Sequence, residues 1–128
     1  MQYEYFYGAQ AEQFSFYRIP KALFTEPNFR ELSTDAKVLY GILLDRMSLS
    51  LKNQWLDAQN KVYIIFTVEE IMDALNCANQ KATHLMVELE KQAGLIERKR
   101  QGLGRPNLIY VKNFAATIND KSCEKGDS

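Results

Sequence analysis

The chain has little of the chemistry on which metal sites depend. Its 128 residues include two cysteines, Cys77 and Cys123, and a single histidine, His84. The cysteines do not form a CxxC motif, and one histidine cannot supply the paired ligands of a metal-assisted DNA nickase. We therefore expect neither a metal nor another cofactor, and the simplest interpretation of Cys77 is a reduced, buried thiol.

Apolar runs are short throughout, and none approaches the length that crosses a membrane. The N-terminal residues, MQYE, lack the basic start and apolar stretch of a secretory signal, so we expect a cytoplasmic protein. The GLG sequence at residues 102–104 lacks the third glycine and the following helix of a dinucleotide-binding motif, and no GKT or GKS phosphate loop is present. Nothing in the sequence places two carboxylates in one dry cleft, so we do not expect an enzyme.

The formal net charge is zero, with 16 basic and 16 acidic residues, which by itself argues weakly against a nucleic acid partner. The charges are nevertheless unevenly distributed along the chain. Residues 79–112 hold seven Lys or Arg and three Asp or Glu, whereas residues 1–78 hold seven and ten. Because the surplus of positive charge lies in one segment, that segment is the candidate for contact with an anionic partner.

An extra N-terminal strand and a short helix are predicted ahead of the main helices. Residues 14–19 are strand-like in composition, and Pro20 can open a short helix that runs to Phe24. Aromatic residues are concentrated in this part of the chain, where they either pack on the domain or form the surface of a dimer. These residues are Tyr3, Tyr5, Phe6, Tyr7, Phe14 and Phe16.

A long helix and a small hairpin are predicted next. Ser33 or Thr34 can cap a helix over residues 34–50. Residues 54–57 and 61–66 flank a turn, and the second segment is rich in β-branched and aromatic residues. The helix carries one apolar stripe, which serves either the core or a dimer, and consists of Ala36, Leu39, Tyr40, Leu43 and Met47.

Two shorter helices separated by a tight turn follow the hairpin. Thr67 and Glu70 fit a capping box at the start of the first helix, which is predicted to end at about Leu75. Asn76 tolerates the left-handed conformation that ends a helix. A second helix is predicted from residue 78 or 79 to about residue 92. Two helices around a turn of about three residues are typical of a helix-turn-helix unit.

A two-stranded ribbon completes the pattern. Residues 95–100 and 108–111 predict strands, and residues 102–106 form the loop between them. Helix, turn, helix and ribbon in this order predict a winged helix-turn-helix fold, of the α+β class but mostly helical, with a small antiparallel sheet. We expect the DNA-binding domain to occupy residues 1–114, and residues 115–128 to form a polar tail or the start of a linker.

The second helix of the unit carries the candidate for reading DNA bases. If Ala82, Met86 and Leu89 face the core, the opposite side presents short polar residues with almost no acid. These are Asn79, Gln80, Thr83 and His84, with Lys81 on the flank. Asn and Gln can bond adenine with two hydrogen bonds, and Thr can contact bases through its hydroxyl or its methyl group. The alternative is an ordinary solvated helix surface.

The ribbon is the candidate for contact with the DNA backbone. It carries Arg98, Lys99, Arg100 and Arg105, with Glu97 as its one acidic residue. Strand alternation predicts Arg98 and Arg100 on one face and Lys99 on the other. Such a wing can lie along the phosphates or enter the minor groove. The alternative is a solvated edge strand whose charges prevent aggregation.

Four segments together resemble the replication initiator A family of Gram-positive, theta-replicating plasmids. They are FSFYRIPKALF at 14–24, LSTDAKVLYGILLDRMS at 32–48, VYIIFT at 62–67 and GLIERKRQGLGRPNLIYV at 94–111. The similarity covers most of residues 14–114. The winged-helix part is shared by many bacterial regulators, whereas the first and last segments are more specific.

The resemblance implies sequence-specific binding to repeats of double-stranded DNA at a plasmid origin, usually as a homodimer. It also implies a separate C-terminal domain that contacts host replication factors, which this chain does not reach. Two alternatives remain open at this point. One is a winged-helix transcriptional repressor, and the other is a protein adapter of the primosome type that binds DNA weakly and without sequence preference.

Overall fold

The computed structural model describes residues 2–115 of the chain. The segment with the predicted apolar stripe, residues 34–50, forms most of its longest helix. In chain order the elements are a 3₁₀ turn (Gln10–Gln13), helix α1 (Ala22–Thr25), a second 3₁₀ turn (Pro27–Phe29), helices α2 (Thr34–Lys52), α3 (Val68–Leu75) and α4 (Asn79–Val87), a π-helical turn (Glu88–Gln92), and strands β1 (Ile96–Lys99) and β2 (Leu108–Val111). The architecture is α+β and mostly helical, as predicted. The predicted polar tail lies outside the described residues from position 116 onward, and so does Cys123.

Helix α2 begins where the sequence provides a cap. Ser33 is the N-cap residue, and its hydroxyl oxygen accepts a hydrogen bond from the backbone N–H of Ala36 at 3.2 Å. Four of the five predicted stripe residues are buried, and Met47 is partly buried against the same core. The stripe therefore serves the core rather than an exposed dimer surface.

The helix-turn-helix unit follows the predicted local signals. The Thr67 hydroxyl accepts a hydrogen bond from the Glu70 N–H at 3.2 Å, and the Thr67 N–H donates to the Glu70 carboxylate at 2.9 Å. Helix α3 ends at Asn76, whose φ of 53° is left-handed. Cys77, in the turn, is only partly buried, because the turn lies at the rim of the core rather than inside it.

The predicted second helix changes its geometry near its end. Helix α4 stops at Val87, and the chain continues through the π-helical turn, in which the Ala93 N–H donates to the Glu88 carbonyl five residues earlier at 3.1 Å. Gly94, with a φ of 66°, then ends the helical segment. Glu88 and Leu89, the first two residues of this turn, are both buried.

The sheet of the wing is joined by a further segment around Ile64, a pairing that the hairpin prediction did not include. Strands β1 and β2 pair antiparallel, from Ile96 opposite Val111 to Lys99 opposite Leu108. The turn between residues 57 and 61 forms as predicted, but it is followed by a single bridge, between Leu56 and Val62. The next pairing is with β2, where Ile64 and Ile109 exchange two backbone hydrogen bonds of 2.9 Å. Residues 61–66 therefore form the predicted small hairpin, in which the Asp57 N–H donates to Lys61 and the Tyr63 N–H donates to Trp55, and they also join the wing sheet through Ile64.

The predicted N-terminal strand over residues 14–19 is wrong. These residues form an extended chain without a strand partner among the described residues, and Phe14 and Phe16 are exposed. Composition favours a strand, but a strand also needs a neighbour with free backbone groups. The segment instead crosses α2 at Gly41, where a Cβ atom would lie 2.9 Å from the Arg18 carbonyl oxygen. The short helix after Pro20 is present as α1.

The core lies where α2, the helix-turn-helix unit and the inner face of the sheet meet. Its largest fully buried side chains come from almost every element: Leu23, Leu39, Tyr40, Leu43, Ile64, Ile71, Leu89, Ile96 and Ile109. The Tyr40 hydroxyl donates to the Lys112 carbonyl oxygen at 2.8 Å, which joins α2 to the end of β2. Burial raises the pKa of this hydroxyl to about 12, so Tyr40 remains a neutral donor.

Replacing Gly41 tests whether the N-terminal segment packs on α2. Alanine is preferred over glycine inside a helix by about 1 kcal/mol. At this position, however, the new Cβ would lie 2.9 Å from both the Arg18 carbonyl oxygen and the Ile19 Cγ1 atom. We expect Gly41→Ala to lower the free energy of unfolding in urea by about 1–2 kcal/mol, because overpacking against backbone outweighs propensity.

Ser48→Ala is the matched control, since Ser48 is an exposed residue of the same helix. Its substitution should change the free energy of unfolding by about 0.5 kcal/mol or less. A Gly41→Ala protein more stable than the parent would show that residues 18 and 19 do not rest on α2.

Candidate nucleic-acid interface

Helix α4 presents the polar face that its sequence spacing predicted. Ala82, Leu85 and Met86 are buried against the core. The opposite side is exposed and contains Asn79, Gln80, Thr83 and His84. This face carries amide, hydroxyl and imidazole groups and no carboxylate, so it offers hydrogen bonds to base edges without repelling phosphates.

The start of α4 has a feature that the sequence analysis overlooked. Its N-cap residue is Ala78, which provides no side-chain hydrogen bond to the first turn. The N–H groups of a first turn have no partner within the helix, and together with the helix dipole they attract anions such as phosphate. An alanine where Ser, Thr, Asp or Asn is usual could have been noticed from the sequence.

Lys81 is held against helix α2. Its ammonium nitrogen lies 2.5 Å from the Asp35 carboxylate, and both side chains are about half exposed. The hydrogen bond and the charge of Asp35 raise the pKa of Lys81. Lys81 therefore links the start of α4 to the start of α2, and contact with a phosphate would require this exposed and weak pair to open.

Arg98 does not project as a free cation, in contrast to the expectation for the wing. Its Nε and Nη2 atoms donate to the same oxygen of Glu90 at 2.9 and 2.7 Å. Its backbone N–H donates to the other oxygen of Glu90 at 3.2 Å. The two side chains are only 25% and 17% exposed. Strand alternation turns Arg98 toward the π-helical turn that follows α4, where the Glu90 carboxylate neutralises it.

The remaining basic residues of the wing are exposed and are divided between its parts. Lys99 points to the face of the strand opposite Arg98, as alternation predicted. Arg100 follows the end of β1 and begins the loop. Arg105 is in the loop, where its N–H donates to the Gly102 carbonyl oxygen at 3.3 Å. The loop is closed by Gln101, whose side-chain amide donates to the Pro106 carbonyl oxygen at 2.7 Å.

The structure thus distinguishes two groups among the predicted site residues. The polar residues of α4, together with Lys99, Arg100 and Arg105, are exposed and available to a ligand. Lys81 and Arg98 are paired with carboxylates and hold α4 to its neighbours. Within residues 2–115, no cluster of His, Cys, Asp or Glu is placed to hold a metal ion. None of the helices in that part of the chain combines the length and the apolar character needed to cross a bilayer.

Comparison with known proteins identifies a family. Residues 15–125 match the family model of the replication initiator protein A (RepA) N-terminus. A "41 kDa protein" of Lactobacillus helveticus is 30% identical over 103 residues, which are 80% of this chain. The chain spans only 28% of the length of that relative.

Solved structures show the same fold at substantial sequence identity. A structure described as the N-terminal domain of a DNA binding protein is 36% identical, with a TM-score of 0.72 and coverage of 99% of this chain and 98% of the other. A Rep–DNA complex is also 36% identical, with a TM-score of 0.72 and 98% coverage of both chains. An "MDR initiator" is 39% identical, with a TM-score of 0.70 and coverage of 98% and 99%.

The Glu90–Arg98 pair predicts a pH dependence of stability. Burial raises the pKa of Glu90, but the hydrogen bonds and charge of Arg98 outweigh it and hold the pKa below the ordinary value of 4.5. A carboxyl whose pKa is depressed by folding adds stability above its unfolded-state pKa and loses it as the pH falls through the folded-state value. We expect the free energy of unfolding to decrease between about pH 5 and pH 3, and Glu90→Gln to reduce this decrease.

At pH 7 the Glu90→Gln protein should be less stable by about 1–3 kcal/mol, because the guanidinium loses a charged acceptor. Glu97→Gln is the control, since Glu97 is an exposed carboxylate of the same wing, and it should leave the pH profile nearly unchanged. Identical profiles for the parent and Glu90→Gln proteins in urea titrations would contradict a stabilising role of the pair.

Proposed function

Because the chain belongs to the family of replication initiator protein A N-terminal domains, we propose that it binds double-stranded DNA sequence-specifically at a plasmid replication origin. The observation that carries this proposal is the exposed, acid-free face of α4, which begins at an uncapped helix N-terminus. The similarity to a Rep–DNA complex, 36% identical over 98% of both chains, supports it.

Helix α4 enters the major groove with its N-terminal half in this proposal. Asn79 and Gln80 lie in the first turn, where their amides can pair with the donor and acceptor of an adenine. Thr83 and His84 follow one turn later on the same face. The free N–H groups after Ala78 receive a backbone phosphate and set the depth of the helix. Lys81 supports this end of α4 through its contact with Asp35.

The wing binds the backbone or the minor groove through its loop. Arg100 and Arg105 are the exposed cations near the loop, and arginine is favoured in narrow minor grooves. Arg98 has a positioning role, because its pair with Glu90 anchors the base of the wing to the segment that continues α4. Lys99 projects from the other face of the ribbon and is farther from this contact.

Assembly and partners follow from the same proposal. We infer that the domain acts as a homodimer on repeated half-sites, and the exposed aromatic side chains before residue 18 offer apolar surface for that contact. Contact with host factors is assigned to a region beyond this chain, in keeping with the greater length of the curated relative. The role is binding rather than catalysis, and a plasmid origin would place the protein in the cytoplasm.

Substitutions in α4 test sequence reading. We expect Asn79→Ala or Gln80→Ala to weaken binding to the cognate repeat by about 1–3 kcal/mol, while binding to random duplex changes little. The cognate repeat is first obtained by selecting bound duplexes from a random pool at a stated salt concentration. Affinities for the selected and scrambled duplexes are then measured by fluorescence anisotropy.

Gln92→Ala is the matched control, since it removes an exposed amide from the far end of the same helical segment. It should alter neither affinity. Equal losses on selected and scrambled duplexes would mean that the two residues do not read bases. Failure of the pool to yield any preferred sequence would favour a non-specific adapter instead.

Substitutions in the wing test backbone contact. We expect the double variant Arg100→Ala/Arg105→Ala to weaken binding to all duplexes and to reduce the slope of log K against log salt by about 2, because each phosphate contact releases about 0.9 counterion. The slope is obtained from titrations at several salt concentrations.

The control is Arg30→Ala/Lys52→Ala, which removes the same charge from exposed positions outside the wing and α4. If this control changes the salt slope as much as the wing variant does, the effect reflects net charge rather than a contact. An unchanged slope in the wing variant would remove the loop from the interface.

A further inference from the structure

The outer face of the wing sheet carries aromatic side chains that the proposed duplex contacts do not use. The rings of Trp55 and Tyr63 stack, with centroids 6.1 Å apart and planes inclined by 15°. The ring of Tyr110 meets Tyr63 edge-on, with centroids 6.5 Å apart and planes inclined by 63°. We call Trp55, Tyr63 and Tyr110 the aromatic face.

Strand alternation and one long-range bridge bring the aromatic face together. Ile64 and Ile109 are bridged by two backbone hydrogen bonds and are almost completely buried. Their neighbours Tyr63 and Tyr110 must therefore point to the opposite side of the sheet. Trp55 is held beside them because the Tyr63 N–H donates to the Trp55 carbonyl oxygen at 3.2 Å. Trp55 remains 39% exposed, which leaves part of its ring free for a ligand.

A surface hollow of about 520 Å³ adjoins the aromatic face at Tyr110, which forms part of its lining. Apolar side chains, those of Met47, Val62 and Val111, form part of its lining. Three lysines border it, and all three are exposed: Lys61, Lys99 and Lys112. Aromatic rings beside cations spaced along a surface are the elements of a site for single-stranded nucleic acid.

The acidic residues beside the hollow only partly offset the lysines. The Asp57 carboxylate accepts hydrogen bonds from the N–H groups of Gln59 and Lys61 at 2.8 and 2.9 Å, and from the Tyr110 hydroxyl at 3.1 Å. The Lys61 N–H is the main cause of the lowered pKa of Asp57, which keeps this anchor ionised. Asp57 is thus occupied in orienting the turn and Tyr110. Glu97 is the other carboxylate at the hollow.

We propose that the aromatic face binds a single strand of DNA, with a base stacked on Trp55 and with phosphates contacting Lys61, Lys99 and Lys112. Stacking on an aromatic ring tolerates any base, so this contact has little sequence preference. The proposed single-strand site rests on the proposed function in one respect: binding to an origin brings the domain close to strands that separate when replication begins.

The composition of the surface favours nucleic acid over a protein occupant. Lysine is depleted in protein–protein interfaces, where its charge and its mobile side chain are costly to bury. Three lysines around one hollow are better matched by phosphates, which bind at the surface without burying the ammonium groups. A second copy of this chain would bring the same three lysines and would be repelled.

The single tryptophan of the chain makes the proposal directly testable, because the intrinsic tryptophan fluorescence reports Trp55 alone. The probe is an oligo-dT strand of about ten nucleotides, within the range of common single-strand sites. We expect saturable quenching of Trp55 as the strand is added to the whole chain. Three phosphate contacts predict a log K against log salt slope of about −2.

Variants separate the aromatic contact from the fold. Tyr63→Leu and Trp55→Leu should each weaken binding of a labelled dT strand by about fivefold or more, measured by anisotropy. Tyr110→Phe keeps the ring, loses the Asp57 hydrogen bond, and should retain most of the binding. Phe24→Leu, at an exposed aromatic residue on α1, should have no effect. Unchanged duplex binding and circular dichroism establish that each variant is folded.

Several outcomes would overturn the proposal. Unquenched Trp55 fluorescence together with unchanged affinity in Tyr63→Leu would do so, as would tighter binding of an oligo-U strand than of oligo-dT. Equal quenching of Trp55 fluorescence by a duplex of the same length would show that the aromatic face belongs to the duplex interface. A fluorescence shift that depends on protein concentration without DNA would show self-association at this face.

The α4 variants distinguish a failure of the proposed duplex binding from a failure of the proposed single-strand site. Asn79→Ala and Gln80→Ala should lose preference for the selected duplex and retain quenching by oligo-dT. A chain that binds oligo-dT and no duplex would refute the proposed function and leave the single-strand site intact. A chain that binds its duplex and no oligo-dT would refute the single-strand site and leave the proposed function intact.

Discussion

Two carboxylates on the π-helical turn after α4 hold the helix between its neighbours. Glu88 is 4% exposed and accepts hydrogen bonds from the backbone N–H and the hydroxyl of Ser33, the N-cap of α2. Glu90 accepts three hydrogen bonds from Arg98 of the wing. A buried carboxylate is tolerated only when it is well satisfied, so these partners leave the turn few alternative positions. The orientation of α4 relative to α2 and the wing depends on this arrangement.

This constraint assigns different roles to basic residues that look equivalent in the sequence. Arg98 serves the internal structure, whereas Arg100 and Arg105 remain exposed near the loop of the wing. Lys99 points away from Arg98 and joins Lys61 and Lys112 beside the aromatic face. The wing consequently has two chemically distinct sides, and a sheet of two short strands and one bridge is sufficient to separate them.

Features that depend on neighbouring residues in the sequence were predictable. The capping box at Thr67 and Glu70, the left-handed Asn76, and the buried and exposed sides of α4 all appear as their local patterns indicated. Each involves atoms within about one helical turn, so residue type and spacing are sufficient to specify them. The resemblance of four segments to the initiator family was likewise confirmed by the family match over residues 15–125.

The sequence by itself determined the helix-turn-helix order, the ribbon and the polar face of α4, because these arise from periodicity and capping. Only the tertiary structure decided that Arg98 pairs with Glu90, that residues 14–19 lack a strand partner, and that Ile64 pairs with Ile109. Each of these depends on which distant group lies opposite a given residue. Backbone groups and charges are satisfied by whichever partner folding brings within reach, and a local pattern holds no information about that partner.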